Sequence, residues 1–508
     1  MNRSHKIINN SLFNLTSSLW LTVLHFFTTP FIVNKLGVDA YGIYSVMFVV
    51  IGYFGFMELG LGRAIIKFIA EFHAKKDYDS IKKAIGSALL VYCLMGVIGA
   101  VLIYLLTDLF ITSVFKIPPG LKNTARWAFY FSAVGFLLNM PCNVFGAIPK
   151  ALQRFDITNK IDIIFGSLQT IGSVCLLYLG FSLLSLVILN IIISFLSICT
   201  YVAVVKRTFP FIPIAAGFNA GIMKDLFRFG SMVTIDSLLV MLSGRINSFF
   251  VGIFLPISSL TYYVIPDSLA SRVSFIPRSV SHAAFPLFSE LHGLSSQESL
   301  RELFLRSTKI IVILTLPFMM LFTFFANKLL GFWIGKQFAE NGTLILQLIG
   351  PAYILSFWAY ISVEGARGLN KPAFPAKLQL VFSIINVILC FALIPSFGIV
   401  GAALAWSLHR YLLIPFFIGI IATKLFGISF SRLWNEGFKK SFGLVIFMMV
   451  ISYPLSQWVN TLFTLVLSFV AISLLAFVGG YFIVMDERDR TTTLEFLRAK
   501  LNLMPRHV

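Results

Sequence analysis

Charge is scarce in this chain. Asp, Glu, Lys and Arg together make up 12% of its 508 residues, and acids are the rarer sign, 21 against 40 bases. That excludes an ordinary water-soluble domain, whose charged share is about 25%. Cysteine is nearly absent. Cys93, Cys142, Cys175, Cys199 and Cys390 all fall in apolar stretches without zinc-ligand spacing. They read as small core hydrophobes, with no disulfide and no cysteine metal site expected. A nucleophile elbow, a metal-ligand pair and a phosphate-binding glycine loop are also missing. The longest outer connections, near 108–125 and 332–342, stay under about twenty residues, short for a catalytic module. No enzymatic activity, ATP hydrolysis or cofactor is therefore expected. The start lacks a short apolar core followed by a cleavage site, so the first apolar segment is expected to be retained.

What fills the chain is hydrophobic surface: 58% apolar residues and a mean hydropathy of +0.89. About twenty apolar residues span a bilayer as a helix. On that measure an all-α polytopic membrane protein with about fourteen transmembrane helices is expected. The spans lie near 8–33, 40–62, 84–107, 126–149, 161–181, 183–205, 229–254, 258–282, 307–331, 343–365, 377–396, 400–423, 438–456 and 460–485. The net charge of +19 does not point to nucleic acid, because the bases are sorted by loop. Lys75, Lys76, Lys82, Lys83, Lys150, Arg154, Lys206, Arg207, Arg367 and Lys371 all fall on one side. Basic loops stay cytoplasmic, so both termini are expected inside.

Two spans break the apolar rule. The stretch 229–254 carries Asp236 and Arg245, and 258–282 carries Asp267, Arg272 and Arg278. An arginine at bilayer depth costs about 2.5–3.5 kcal/mol on the lenient insertion scale, so it must face water, a partner or a ligand. Tyr263, Asp267, Ser271, Ser274, Arg278 and His282 are spaced four, four, three, four and four apart. On one continuous helix they make a polar stripe. His409-Arg410 sits near the middle of the twelfth span. Asn10, Asn14, Ser17, His25 and Thr28 lie near one face of the first. Two readings stay open. The charges pair with one another and stitch helices together, or they line a water-filled cationic cavity. Glu58, beside Gly60 and Gly62, either pairs with Arg63 or Lys67 or acts as a proton site or polar gate.

A repeat is legible. Leu152 and Lys160 match Leu369 and Lys377 at an offset of 217 positions, and Glu71-Phe72-His73 matches Glu290-Leu291-His292 at 219. A six-span unit repeated in the same orientation predicts two six-helix lobes about a pseudo-two-fold axis along the membrane normal, plus two extra C-terminal helices. The expected divisions are a first lobe over 1–206, a cytoplasmic linker over 207–226, a second lobe over 227–424, and 425–508 for helices 13 and 14 with an amphipathic tail. All four mid-span arginines then fall in the second lobe. The linker is expected to carry a short interfacial helix around Ile222, Met223, Leu226 and Phe227. In the tail, Thr492 and Glu495 form a capping-box pattern.

The motifs Leu36-Gly37…Tyr41-Gly42, Glu58-Leu59-Gly60-Leu61-Gly62, Leu152-Gln153-Arg154-Phe155 and Phe285-Pro286-Leu287-Phe288-Ser289 carry a resemblance. In this order, over nearly the full length, the chain resembles the polysaccharide-biosynthesis flippases of the multidrug/oligosaccharidyl-lipid/polysaccharide exporter superfamily. That family often has Asp where this chain has Glu58. The resemblance implies a flippase of the bacterial inner membrane that moves undecaprenyl-pyrophosphate-linked oligosaccharide units, such as O-antigen units, by alternating access. Its partners would be that lipid-linked oligosaccharide, membrane lipids, a polysaccharide polymerase and other assembly proteins, with no nucleic acid. The substrate-binding residues expected are Arg245, Arg272, Arg278 and Arg410 for pyrophosphate or acidic sugars, and Asn14, Ser17, His25, Ser271 and Ser274 for hydroxyls. Glu58, Asp236 and Asp267 are expected in gating or ion coupling. The alternatives are a cation-coupled drug exporter, a lipid II flippase or a non-transporting scaffold subunit.

Overall fold

The computed structural model describes the backbone at residues 3–58, 60–212, 218–487 and 490–491. Side chains are described from Thr16 onward within those ranges, except 231–244. Among the described residues the fold is all-helical, without a strand. Packing divides it at Thr261 into two units.

The first unit runs through α1 (Arg3–Leu36), α2 (Val38–Phe54), α3 (Leu61–Ala74), α4 (Tyr78–Leu109), α5 (Lys122–Ala151), α6 (Phe155–Tyr178), α7 (Leu183–Thr208) and α8 (Ala220–Phe254). Pro30 does not end α1, which continues to Leu36 and stops at Gly37 with φ 77°. The expected span 40–62 is interrupted by a 3₁₀ turn at Gly55–Glu58 and by Gly60 at φ 63°. Asp77 caps α4 by accepting from the Ser80 amide at 2.9 Å. α4 packs on α5, α5 on α7, and α1 on α6. α8 packs on α2, α3 and α4. The expected boundary at 227 assigns α8 to the second lobe, whereas by packing it counts with the first unit. The expected short interfacial helix is instead the start of α8. Asn219 caps it by accepting from the Ile222 amide, and no breaker follows.

The second unit comprises most of α9 (Ile257–Arg272), then α10 (Phe275–Gly293), α11 (Gln297–Phe324), α12 (Ala326–Trp333), α13 (Lys336–Trp358), α14 (Tyr360–Gly368), α15 (Ala373–Phe426), α16 (Phe430–Arg432), α17 (Lys439–Trp458) and α18 (Leu462–Gly479). The stretch 258–282 is not one helix, because the chain turns at Val273–Ser274 between α9 and α10. Pro277 supplies a physical reason, since it cannot donate into a continuing helix. The 54-residue α15 is two spans joined at Gly398, where φ is 58° and ψ is −137°. Eleven helical segments among the described residues are long and apolar enough to cross a membrane. Counting α15 twice and adding α8 and the α9–α10 pair gives about fourteen, a polytopic membrane protein. Its apolar outer faces agree: Leu105 is 65% exposed and Phe463 75%, surface that lipid would cover.

α17 and α18 pack against α11. Below them Asp486 accepts from Lys309 and Lys440, both at 2.6 Å. Burial alone would raise the Asp486 carboxyl, but the two ammonium groups more than offset it and hold it low. The expected tail helix around Thr492 lies outside the described residues. The cysteine expectation is corrected in part: all five are free, but only Cys390 is buried, and Cys93, Cys175 and Cys199 are exposed.

The backbone carries the repeat more clearly than the side chains do. Non-glycine residues adopt left-handed geometry at Lys76 and Ser295, 219 positions apart, and at Gln153 and Asn370, 217 apart. Gly180 and Gly398 follow at 218. The first four end helices with paired amide bonds back to the last turn. Examples are Gln153 to Lys150 with Arg154 to Pro149, and Asn370 to Arg367 with Lys371 to Ala366. Left-handed geometry costs a non-glycine residue about 1–2 kcal/mol, against about 0.5–1 kcal/mol of extra chain entropy for glycine. Gln153→Gly and Ser295→Gly should therefore each raise the thermal midpoint slightly in differential scanning fluorimetry. A lowered midpoint would count against these caps.

Candidate functional site

In the first unit the α2–α3 junction holds Glu58. Of its two expected roles, pairing with Arg63 or Lys67 is not the one observed; its Oε1 accepts from the Tyr92 hydroxyl at 3.0 Å. A side chain on Gly62 would place its Cβ against that same oxygen, so glycine there keeps the carboxylate in place. Arg245, near the end of α8, donates from Nη1 to the Phe48 carbonyl at 2.8 Å. Its guanidinium lies over Gly52, where a Cβ would sit 2.5 Å away. One cation is thus held by the backbone of α2, with the rest of its donor fork unassigned. His25 is half-buried, and its carbonyl accepts from the Thr29 hydroxyl at 2.6 Å. Asn14 lies in α1 and Asp236 in α8, but their side chains lie outside the described residues.

The same unit has an open cavity of about 640 Å³ lined by residues of α1, α5, α6 and α7. Ser17, buried on α1, lines it. So do Asn139, Lys150, Asp162, Gln169 and Asn190. The Tyr201 hydroxyl donates to Asp162 Oδ1 at 3.5 Å, and the Ser194 hydroxyl to the side-chain Oδ1 of Asn139 at 3.5 Å. Both polar atoms of the Gln169 amide are buried with no hydrogen-bond partner among the described residues.

In the second unit the structure brings Asp267 and Arg410 into one network. Tyr353 donates its hydroxyl to Asp267 Oδ1 at 2.8 Å. The Arg410 guanidinium stacks on the Trp406 ring, 3.2 Å from its centroid, and lies within electrostatic range of Tyr353, Tyr263 and Asp267. His409 Nδ1 contacts the Ala405 carbonyl at 2.7 Å, which can only accept. That bond fixes the proton on Nδ1 and leaves Nε2 to accept from Arg410 Nη1 at 2.5 Å. Tyr263, expected on the polar stripe, is buried beside this network. Arg272 is the last residue of α9, half-buried. The Ser271 hydroxyl is turned back on the Ser268 carbonyl. Ser274 sits at the cap of α10 and its carbonyl accepts the Arg278 amide at 3.1 Å. Arg278 projects from the first turn of α10, exposed. The broken helix therefore separates the expected stripe into two parts, with Arg272 before the break and Arg278 after it.

A family model described as polysaccharide biosynthesis protein matches residues 35–341, more than half of the chain. The chain belongs to this family. A Shigella flexneri protein named "Putative O-antigen transporter" is 22% identical over 405 residues, covering 79% of this chain and 94% of the relative. A Haloferax volcanii protein named "Probable flippase AglR" is 20% identical over 388 residues, covering 76% and 77%. Among solved structures, lipid II flippase MurJ in an inward closed conformation superposes with a TM-score of 0.69 at 14% identity, covering 97% of this chain and all of that one. An inward-facing multidrug resistance transporter of the MATE family superposes at 0.65 and 14% identity, covering 81% and 94%. These two likenesses concern the fold.

For a polysaccharide biosynthesis protein, sequence reasoning missed the cavity of the first unit. The signal was present: Asp162, Gly166 and Gln169 on α6, and Asn190, Ser194 and Ser197 on α7, both recur at i, i+4, i+7. Tyr353 and Trp406 were missed as well, since an aromatic residue in an apolar span gives no signal until its partner is known.

Proposed function

We propose that the chain is a flippase that carries undecaprenyl-pyrophosphate-linked oligosaccharide units, such as O-antigen units, from the inner to the outer leaflet of the bacterial inner membrane. Both termini and the 207–226 linker lie in the cytoplasm on this reading, as the loop bias of Lys and Arg supports. Residues 1–206 and 227–424 act as the two lobes of an alternating-access carrier, and 425–508 adds the last two helices.

The broken helix carries the proposal. Transporters that bind anions at membrane depth use discontinuous helices, whose exposed amides and positive N-terminal end favour negative charge. Here Arg272 and Arg278 flank such a break, and a guanidinium fork suits a phosphate oxygen pair. We assign Arg272 as the principal pyrophosphate anchor, with Arg278 and Arg245 in support. Arg410 serves the internal network instead, because Trp406 and His409 occupy its face. The names borne by the relatives support the substrate class. A drug exporter for cationic compounds would need acidic anchors, which the arginine excess disfavours.

Expression in a flippase-null bacterium tests this reading. Surface polysaccharide should return with the wild-type chain, and its continued absence in every host tried would reject the proposal. Arg272→Ala should abolish most of the display at normal protein abundance, while Arg272→Lys restores part of it by returning charge without the fork. If abundance falls in step with display, Arg272 is a structural residue and the anchor role is lost.

A further inference from the structure

The cavity of the first unit differs in chemistry from the arginines of the proposed pyrophosphate site. Its charged lining residues, Lys150 and Asp162, are of opposite sign. The other polar groups are neutral: the amides of Asn139, Gln169 and Asn190, and nearby hydroxyls such as Ser17 and Ser194. Its volume of about 640 Å³ lies inside the range of about 300–1,000 Å³ usual for small-molecule sites. Among the described residues no three His, Cys, Asp or Glu side chains converge as a metal site would require. Each amide offers donors and acceptors together, which matches a ligand whose groups also donate and accept, namely a sugar hydroxyl. Phe155 and Phe165 add apolar walls for the C–H face of a sugar ring. The Gln169 amide, in the wall of this cavity, has both polar atoms buried and unpartnered, which costs about 1–3 kcal/mol; a rotation of that side chain into the cavity would give them a ligand's hydroxyls as partners.

We propose that this cavity binds uncharged sugar residues of the transported oligosaccharide, with Gln169, Asn139 and Asn190 as the hydrogen-bonding groups. The proposal rests on the flippase reading and divides the labour: arginines hold the pyrophosphate, and amides of the first unit hold sugar. Selection among oligosaccharides then resides in α5, α6 and α7.

The test uses the full-length protein in nanodiscs with two probes. One is the undecaprenyl-pyrophosphate-linked oligosaccharide extracted from the host that the chain rescues. The other is undecaprenyl pyrophosphate without sugar. The wild type should bind the sugar-bearing lipid at least tenfold more tightly. In a Gln169→Leu, Asn190→Leu double variant that ratio should fall towards one, with affinity for the bare carrier unchanged. Leucine at 169 removes polar atoms that have no partner, so folding should hold. A ratio of one in the wild type, or a ratio that survives in the double variant, overturns the sugar site while leaving the flippase reading intact. Failure of the wild type to bind either lipid counts against the flippase reading and the sugar site together. Should the double variant not fold, Ser194→Cys supplies a second readout. The sugar-bearing lipid, and not the bare carrier, should slow labelling of that thiol by a charged methanethiosulfonate relative to the parent chain. Equal labelling with both lipids overturns the proposal.

Discussion

Gly42→Ala should remove most of the folded protein. A Cβ at Gly42 would lie 2.3 Å from the Ile257 carbonyl oxygen and 3.0 Å from its carbonyl carbon. These are backbone atoms, so no rotamer change relieves the clash. α2 would have to withdraw from the start of α9, straining the 2.6 Å bond from the Thr261 hydroxyl to the Val38 carbonyl. Overpacking costs about 1–3 kcal/mol when side chains can shift, and a backbone clash belongs at the upper end or beyond. Gly443, within α17, is the matched control: nothing lies within 4 Å of its Cβ position, and alanine there gains helix propensity. In a thermal melt followed by size-exclusion chromatography, Gly42→Ala should lose its monodisperse peak far below the wild-type midpoint, with Gly443→Ala at or above it. Equal midpoints for the two variants would show that α2 does not approach Ile257 this closely. The clash also gives the Tyr41-Gly42 part of the family motif a physical meaning.

The second large effect is expected at Asp267. Its carboxylate accepts from Tyr353 and lies within electrostatic range of Arg410. Asp267→Ala strands the hydroxyl and leaves the stacked guanidinium without its acid. A buried donor left unsatisfied costs about 1–3 kcal/mol. The half-buried guanidinium also loses a carboxylate within electrostatic range, so a loss of about 1–3 kcal/mol is expected. Adding Arg410→Met removes the stranded charge, and the pair should recover part of the midpoint even though the double variant lacks more native groups. Non-additive recovery of this kind identifies an internal network. Had Arg410 faced substrate, Asp267→Ala would leave stability unchanged and Arg410→Met would act on transport alone.

The spans were legible because bilayer thickness fixes a length of apolar chain that composition reveals directly. The repeat was legible for a related reason. Helix ends need special backbone geometry, and Lys76, Gln153, Ser295 and Asn370 mark the same ends in both halves. The break at Val273–Ser274 was hidden by the stripe itself, whose regular spacing is as compatible with two helices as with one. Pro277 was the available signal. Burial was the least legible property. In water an apolar cysteine reads as core, but in a membrane the outer surface is apolar too, and Cys93, Cys175 and Cys199 lie there. Conspicuous charges drew the candidate site towards arginines, while the neutral amides of α5, α6 and α7 went unread. Asp267 and Arg410 show the limit of charge as a guide: both were noticed, yet only the structure shows Tyr353 bonded to the acid and Trp406 under the guanidinium.

The central claim is translocation of a lipid-linked oligosaccharide, and purified protein in sealed vesicles tests it most directly. Vesicles containing the oligosaccharide lipid are first treated with an impermeant glycosidase to remove outward-facing sugar. The enzyme is then washed away, and an impermeant lectin follows the return of sugar to the outer surface. The wild-type chain should restore outer sugar well above the rate of protein-free vesicles, and Arg272→Ala should not. A wild-type rate equal to that of protein-free vesicles would contradict the account.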